Sequence, residues 1–129
     1  MTSTLENSPT NSAYNALLAG CPTREVLNAL SDKWVGLVVV SLADGALRYS
    51  GIARTVEGVS QKMLSQTLRS LERNGMITRT VTPSTPIRVD YELTALGAEL
   101  LPILQAVKTF SEANIENIRD ARVLYDLAN

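Results

Sequence analysis

The pattern of apolar and polar residues in the first third of the chain is mostly helical. Between residues 33 and 43 one stripe follows i, i+3, i+4, i+7 and i+8, at Trp34, Leu37, Val38, Ser41 and Leu42. Three consecutive valines also resemble a strand, but the apolar run is longer than one strand. We therefore predict a buried helix here, capped at its start by Ser31 or Asp32.

Two shorter helices are predicted before this segment. Residues 13–19 form the first, and Gly20 ends it. Residues 22–30 form the second, with Pro22 at a first position where its missing N–H costs nothing. Three apolar residues of this second helix are expected to face inward: Val26, Leu27 and Leu30.

The middle of the chain alternates short strands and capped helices. Residues 47–49 predict a very short strand, after which Ser50 caps a two-turn helix over 51–56. Ser60 caps a longer helix over 61–74, and Gly75 stands where a left-handed residue would close it. Two strand-like runs follow at 76–82 and 87–93, joined by a Pro- and Ser-containing loop at 83–86, which predicts a hairpin;.

The C-terminal region predicts a long helix that starts after a Thr94 cap. Its apolar residues alternate spacings of four and three, as in a coiled-coil seam. The seam consists of Leu96, Leu100, Ile103, Val107 and Phe110. Pro102 lies inside the helix and is expected to kink it. Residues 113–129 contain further apolar positions and predict one more helical segment.

The helix over residues 61–74 has two opposed faces. Leu64, Leu68 and Leu71 share the apolar face, at spacings of four and three residues. The polar face, about 200° away at 100° per residue, presents Lys62, Gln66, Arg69 and Arg73;. Ser60, Gln61 and Ser65 border it near the start of the helix. Such a helix suits the major groove of DNA, where Gln pairs with adenine and Arg or Lys with guanine. Arg69 and Arg73 lie later in the helix and could equally hold phosphates.

The hairpin after this helix resembles the wing of a DNA-binding domain. Arg79 and Arg88 stand on its two strands, and the loop at 83–86 would lie along the DNA backbone or in the minor groove. Residues 45–89 carry a net charge of +5, whereas residues 1–44 carry −2 and residues 90–129 carry −4. The basic centre points to an anionic partner, which the overall charge of −1 conceals;.

The order of elements predicts a mainly α fold with a small β-hairpin, that is, an α+β winged helix-turn-helix. We expect a flexible arm at 1–12, the DNA-binding domain at 13–93 and dimerisation helices at 94–129. The N- and C-terminal helices would form a homodimer.

Composition excludes several classes of function. The chain has no histidine and one cysteine, so we expect no disulfide within the chain, no metal site, no cofactor and no enzyme activity;. It starts with a polar segment without a basic n-region and contains no apolar run near 20 residues;. A cytoplasmic protein without a membrane partner is therefore expected.

Several segments together resemble the HxlR family of bacterial transcription regulators. The matching stretches are residues 21–22, 32–34, 48–52, 60–72 and 89–97, and the resemblance extends from about Cys21 to Val107. It implies a dimeric winged-helix protein that binds symmetric operators. The family often has Phe where Tyr49 stands and an acidic residue where Gly51 stands, so this chain lacks a side chain near the start of the predicted helix over 51–56.

Cys21 is the one residue whose role the sequence leaves open. The nearby helix start and Arg24 would favour the thiolate, which an oxidant or electrophile could modify. Alternatively, Cys21 is a small buried apolar residue. The resemblance favours a sensor, because some relatives respond to oxidants, quinones or aldehydes through the matching cysteine. We expect a repressor switched at Cys21; the alternatives are control by a ligand at the dimer interface, or a winged-helix module that binds protein.

Overall fold

A computed structural model describes residues 13–129, which form five helices and one two-stranded antiparallel hairpin. The predicted arm at 1–12 lies outside the described residues. In chain order the elements are α1 (Thr23–Leu30), α2 (Lys33–Ser41), α3 (Tyr49–Thr55), α4 (Gln61–Arg73), β1 (Ile77–Thr82), β2 (Arg88–Leu93) and α5 (Ala95–Ala128). This order confirms the predicted winged helix-turn-helix.

The core forms around α2, which packs against α3, α4 and the start of α5. The buried apolar residues include Val38, Val39, Leu42, Ile52, Val56, Leu64, Leu68, Leu71 and Leu100. The run at Val38 is thus helical, as its length predicted. Burial of apolar side chains from four helices fixes α4 in place, because each buried Leu or Ile adds about 1.5–3 kcal/mol;.

Three predicted caps hold helix starts. The Asp32 carboxylate accepts hydrogen bonds from the Trp34 and Val35 amides at 2.8 and 3.3 Å. Ser60 and Thr94 each accept one at 3.1 Å, from the amides of Met63 and Gly97. Satisfied caps stabilise a helix by about 1 kcal/mol each, so these polar residues fix where α2, α4 and α5 begin.

The predicted Ser50 cap is wrong. α3 begins at Tyr49, with Arg48 in the capping position and without a side-chain cap. Leu47 forms an isolated bridge to Tyr91, with backbone N···O distances of 2.9 and 2.8 Å in the two directions. The chain leaves this bridge directly into the helix, so Ser50 lies inside the first turn.

The N-terminal predictions also need correction. Residues 13–20 form turns and not a short helix. Val26 and Leu27 of α1 are exposed, at 51% and 57%, instead of buried, and Leu30 alone of the three packs against the core. α1 packs against α2, while Val26 and Leu27 lie on a part of its surface that stays exposed.

The C-terminal region is one continuous helix of 34 residues. The predicted separate tail segment is therefore wrong: α5 runs through Pro102 to Ala128. Its start fits tightly against the hairpin, because a Cβ at Gly97 would clash with the Met76 carbonyl oxygen. Only glycine permits that approach, which fixes the direction in which α5 leaves the domain.

Candidate nucleic-acid interface

The helix-turn-helix consists of α3, a turn and α4. Gly58 in the turn has φ +89°, a conformation that side chains other than glycine rarely adopt;. The Tyr49 hydroxyl donates a hydrogen bond to the Gln61 carbonyl oxygen at 3.2 Å, which ties the start of α3 to the start of α4. The sequence did not predict this contact, because it joins residues twelve positions apart.

The two faces of α4 are placed as predicted. Leu64, Leu68 and Leu71 are buried, together with Thr67, whose burial the apolar pattern did not predict. Six of the predicted DNA-binding residues on the other face are exposed: Ser60, Gln61, Lys62, Gln66, Arg69 and Arg73. The seventh, Ser65, is half-buried. A rigid helix thus presents amide and cationic groups to solvent along its whole length.

The wing presents two arginines that differ in surroundings. In the register of β1 and β2, Arg79 stands opposite Tyr91, and its side chain is exposed. Arg88 instead pairs with Asp90, with 2.9 Å between Nε and Oδ2. The Asp90 carboxylate raises the pKa of Arg88 above its already high ordinary value. Arg88 therefore keeps its charge but shares it with a neighbouring anion.

A half-open cavity of about 360 Å³ lies between α4 and the hairpin. Ser65, Arg69 and Glu72 line it from α4, Arg79 and Tyr91 from the hairpin, and Tyr49 and Leu68 also contribute. The cavity thus brings together one predicted residue of the wing and two of α4. Glu72 and the two tyrosines were not predicted as site residues, because their sequence neighbours do not show that they converge.

Cys21 is half-buried just before α1. Its Sγ lies 2.9 Å from the Thr23 Oγ1, and this hydrogen bond is the main cause that lowers the pKa of the thiol. The positive charge of Arg24 lowers it further, by a smaller amount. Arg24 also donates hydrogen bonds to the carbonyl oxygens of Ala16 and Leu17, at 2.8 and 3.0 Å, which fold the preceding segment onto α1.

An apolar surface runs along α5 beyond the winged helix. Of the predicted seam, Leu100 is buried in the core, whereas Leu96, Ile103, Val107 and Phe110 are exposed. Pro102, Ile103, Ala106, Val107 and Phe110 line a shallow, almost wholly apolar depression. Exposed large side chains also lie at Leu17 and Leu18, in the segment before α1.

Other kinds of site were also sought within residues 13–129. No group of three or more His, Cys, Asp and Glu residues there could hold a metal ion. Among the same residues, no helix combines the length and the apolar character needed to cross a bilayer.

Comparison with known proteins agrees with this architecture. The HTH-type transcriptional regulator YtfH of Escherichia coli is 36% identical over 108 residues, which cover 84% of this chain and 86% of that protein. The solved structure of the transcriptional regulator ytfH of Salmonella typhimurium superposes with a TM-score of 0.78 at 37% identity, covering 84% of this chain and 97% of the other.

A third relative is the redox regulator HypR in its oxidised form, with a TM-score of 0.67 at 34% identity, covering 73% of this chain and 97% of HypR. Residues 29–119 match the family model described as HxlR-like helix-turn-helix. These relatives are regulators and not enzymes. The chain belongs to the HxlR-like helix-turn-helix family and is a transcriptional regulator with a helix-turn-helix DNA-binding fold.

Proposed function

We propose that this regulator reads operator DNA with the exposed face of α4 and uses the hairpin as a wing. Gln61, Lys62, Ser65 and Gln66, in the first half of the helix, would reach base edges. Ser60, Arg69, Arg73, Arg79 and Arg88 would contact phosphates. The observation that carries the proposal is the exposed polar face of α4, held rigid by its buried leucines.

The direct test is binding to a duplex that the protein itself selects from a random library. We expect the logarithm of the binding constant to fall linearly with the logarithm of salt concentration, since each neutralised phosphate releases counterions. Gln66→Ala should reduce discrimination between sequences, and Arg73→Ala should weaken binding to all of them. Glu99→Gln, an exposed change on α5, is the matched control. Failure to select any duplex would support a protein-binding module instead.

We further propose that the protein acts as a homodimer on an operator with two-fold symmetry. The support is the exposed apolar surface of α5, where Val107 and Phe110 are 58% and 62% exposed. Monomeric proteins rarely leave large contiguous apolar patches uncovered. A second copy that packs α5 against α5 would bury this surface, and the dimer would then carry two α4 helices, one for each half of a symmetric operator. Sedimentation equilibrium at micromolar concentration tests the dimer.

Repression is the mode of action we infer, because a protein on a promoter blocks polymerase by occupancy alone. A reporter under a promoter that contains the selected sequence should be less active when the protein is expressed. Higher activity would indicate an activator.

We propose that modification of Cys21 controls DNA binding. The Thr23 hydroxyl and Arg24 both favour the thiolate, the reactive form towards oxidants and electrophiles;. The similarity to the redox regulator HypR supports the same idea. Diamide or a quinone should change the gel shift of the wild type and leave that of Cys21→Ser unchanged. An identical response of both proteins would contradict the switch and favour control by a small-molecule ligand at the dimer interface.

A further inference from the structure

The cavity between α4 and the hairpin contains several hydrogen-bond donors without partners. Within residues 13–129, neither Arg69 nor Arg79 forms an ion pair or a side-chain hydrogen bond. The hydroxyl groups of Ser65 and Tyr91 also have no partner there. By contrast, the Tyr49 hydroxyl is occupied by the Gln61 carbonyl oxygen. Four available donors, two of them charged, thus line one half-open space.

This donor set suits an oxyanion. Guanidinium groups bind phosphate through paired N–H···O bonds that are shorter and stronger than neutral hydrogen bonds. Glu72 supplies the one carboxylate among the lining residues. Because Arg69 and Arg79 together carry two positive charges, the cavity keeps a net positive charge. A carboxylate there would weaken anion binding without preventing it.

The position of the cavity indicates which oxyanion it takes. Ser65 and Arg69 belong to the polar face of α4, and Arg79 belongs to β1, the wing strand that follows this helix. A DNA strand that passes beside α4 towards the wing would cover the cavity mouth. A backbone phosphate would then enter it from the open side.

We propose that the cavity holds a single phosphate of the DNA backbone, bound jointly by Arg69 from α4 and Arg79 from β1. The proposal rests on the DNA-binding function above and refines it. Arg69 and Arg79 serve as one phosphate clamp and do not read bases, since phosphate contacts fix register without sequence information. One anion would thereby link the recognition helix to the wing.

The clamp predicts non-additive effects of substitution. With the selected duplex, Arg69→Ala and Arg79→Ala should each weaken binding about tenfold, the size expected for one charged hydrogen-bonded contact. The double variant should be little weaker than either single variant. The slope of the logarithm of its binding constant against the logarithm of salt concentration should decrease in magnitude by about 0.9, the value for one phosphate. Two separate phosphates would instead give about a hundredfold loss and a fall of about 1.8, which would overturn the proposal.

Neutral linkages in the DNA locate the phosphate. A series of selected duplexes, each with a methylphosphonate at one position in both half-sites, should contain one position where wild-type binding weakens but Arg69→Ala and Arg79→Ala show no further loss. Arg73→Ala, on the same helix but outside the cavity, should still lose affinity there. Glu72→Gln should strengthen binding to the unmodified duplex severalfold, because it removes the opposing charge.

The remaining outcomes separate the clamp from its alternatives. If no position makes both variants insensitive while the wild type still binds the duplex, the clamp is wrong although DNA binding stands. If inorganic phosphate alone shifts the Arg69 and Arg79 side-chain resonances, and no methylphosphonate position makes both variants insensitive, the cavity is a site for a free anion. Failure of the wild type to select a duplex would contradict the proposed function itself.

Discussion

The winged helix and the long helix α5 meet solvent in opposite ways. In the winged helix the apolar residues of α2, α3 and α4 cover one another, and the polar face of α4 points outward. Along α5 beyond Leu100, large apolar side chains such as Val107 and Phe110 remain exposed. The first region completes its core within one chain, whereas the second exposes the kind of surface that proteins bury against a partner.

This difference separates two sources of stability. The winged helix should fold by burial within the chain and keep its stability at any protein concentration. α5 should gain stability by association, which depends on concentration by mass action. Substitutions in the two regions should therefore differ in how their effect depends on protein concentration, as well as in how large that effect is.

The largest effect is expected from Leu64→Ala in the core of α4. Leu64 is 1% exposed, so its truncation leaves a cavity and should lower the free energy of unfolding by about 2–5 kcal/mol;. Urea denaturation at two protein concentrations tenfold apart measures it. The difference between wild type and variant should be the same at both concentrations. A loss that vanishes on dilution would remove the distinction between the two regions.

The next effect concerns Val107→Glu on α5. The substitution removes the apolar contacts of two valines and takes two carboxylates out of water in a symmetric interface. We therefore expect dimerisation to weaken at least a hundredfold, about 3 kcal/mol. Gln105→Glu is the control, because residue 105 lies about 200° around the helix from residue 107. Sedimentation equilibrium should show monomers for the first variant and dimers for the second. Two dimeric variants would exclude this surface as the interface.

A smaller effect distinguishes the two wing arginines. Arg79→Ala should weaken DNA binding about tenfold, whereas Arg88→Ala should weaken it about threefold or less, because Asp90 already shares the Arg88 charge;. Titration of the same fluorescent duplex with both variants compares them. Equal losses would mean that the Arg88–Asp90 pair opens on DNA.

The smallest effect concerns the reactivity of Cys21. The Thr23 hydroxyl lowers the pKa of the thiol by stabilising the thiolate, so Thr23→Val should move that pKa back towards its ordinary value;. The pH profile of iodoacetamide alkylation should shift to higher pH, and alkylation at neutral pH should slow. Thr23→Ser, which keeps the hydroxyl, is the control. Overlapping profiles for wild type and Thr23→Val would show that Thr23 does not tune the thiol.

Local patterns predicted the elements that local forces determine. The caps at Asp32, Ser60 and Thr94 depend on contacts two or three residues away. The sequence predicted the last two directly and narrowed the first to Ser31 or Asp32. The opposed faces of α4 follow from helical geometry alone. The order of elements, and with it the winged-helix fold, followed from these signals together.

Features that depend on distant residues were not predictable in the same way. α3 starts at Tyr49 because Leu47 bridges to Tyr91, more than forty residues away. The Arg88–Asp90 pair depends on side-chain conformations that alternation along a strand does not fix. The exposure of Leu27 on α1 reflects a surface that the rest of the described chain leaves uncovered, which periodicity cannot distinguish from a buried face.

The central claim is that the exposed face of α4 reads base pairs. The most direct measurement is the affinity of wild type and Gln66→Ala for every single-base-pair variant of the selected duplex. We predict that the wild type loses about 1–3 kcal/mol at one adenine-containing pair per half-site, and that Gln66→Ala binds all four pairs there with nearly equal affinity. Unchanged discrimination at every position, with the overall affinity of the variant also unchanged, would contradict the assignment of α4 as the recognition helix.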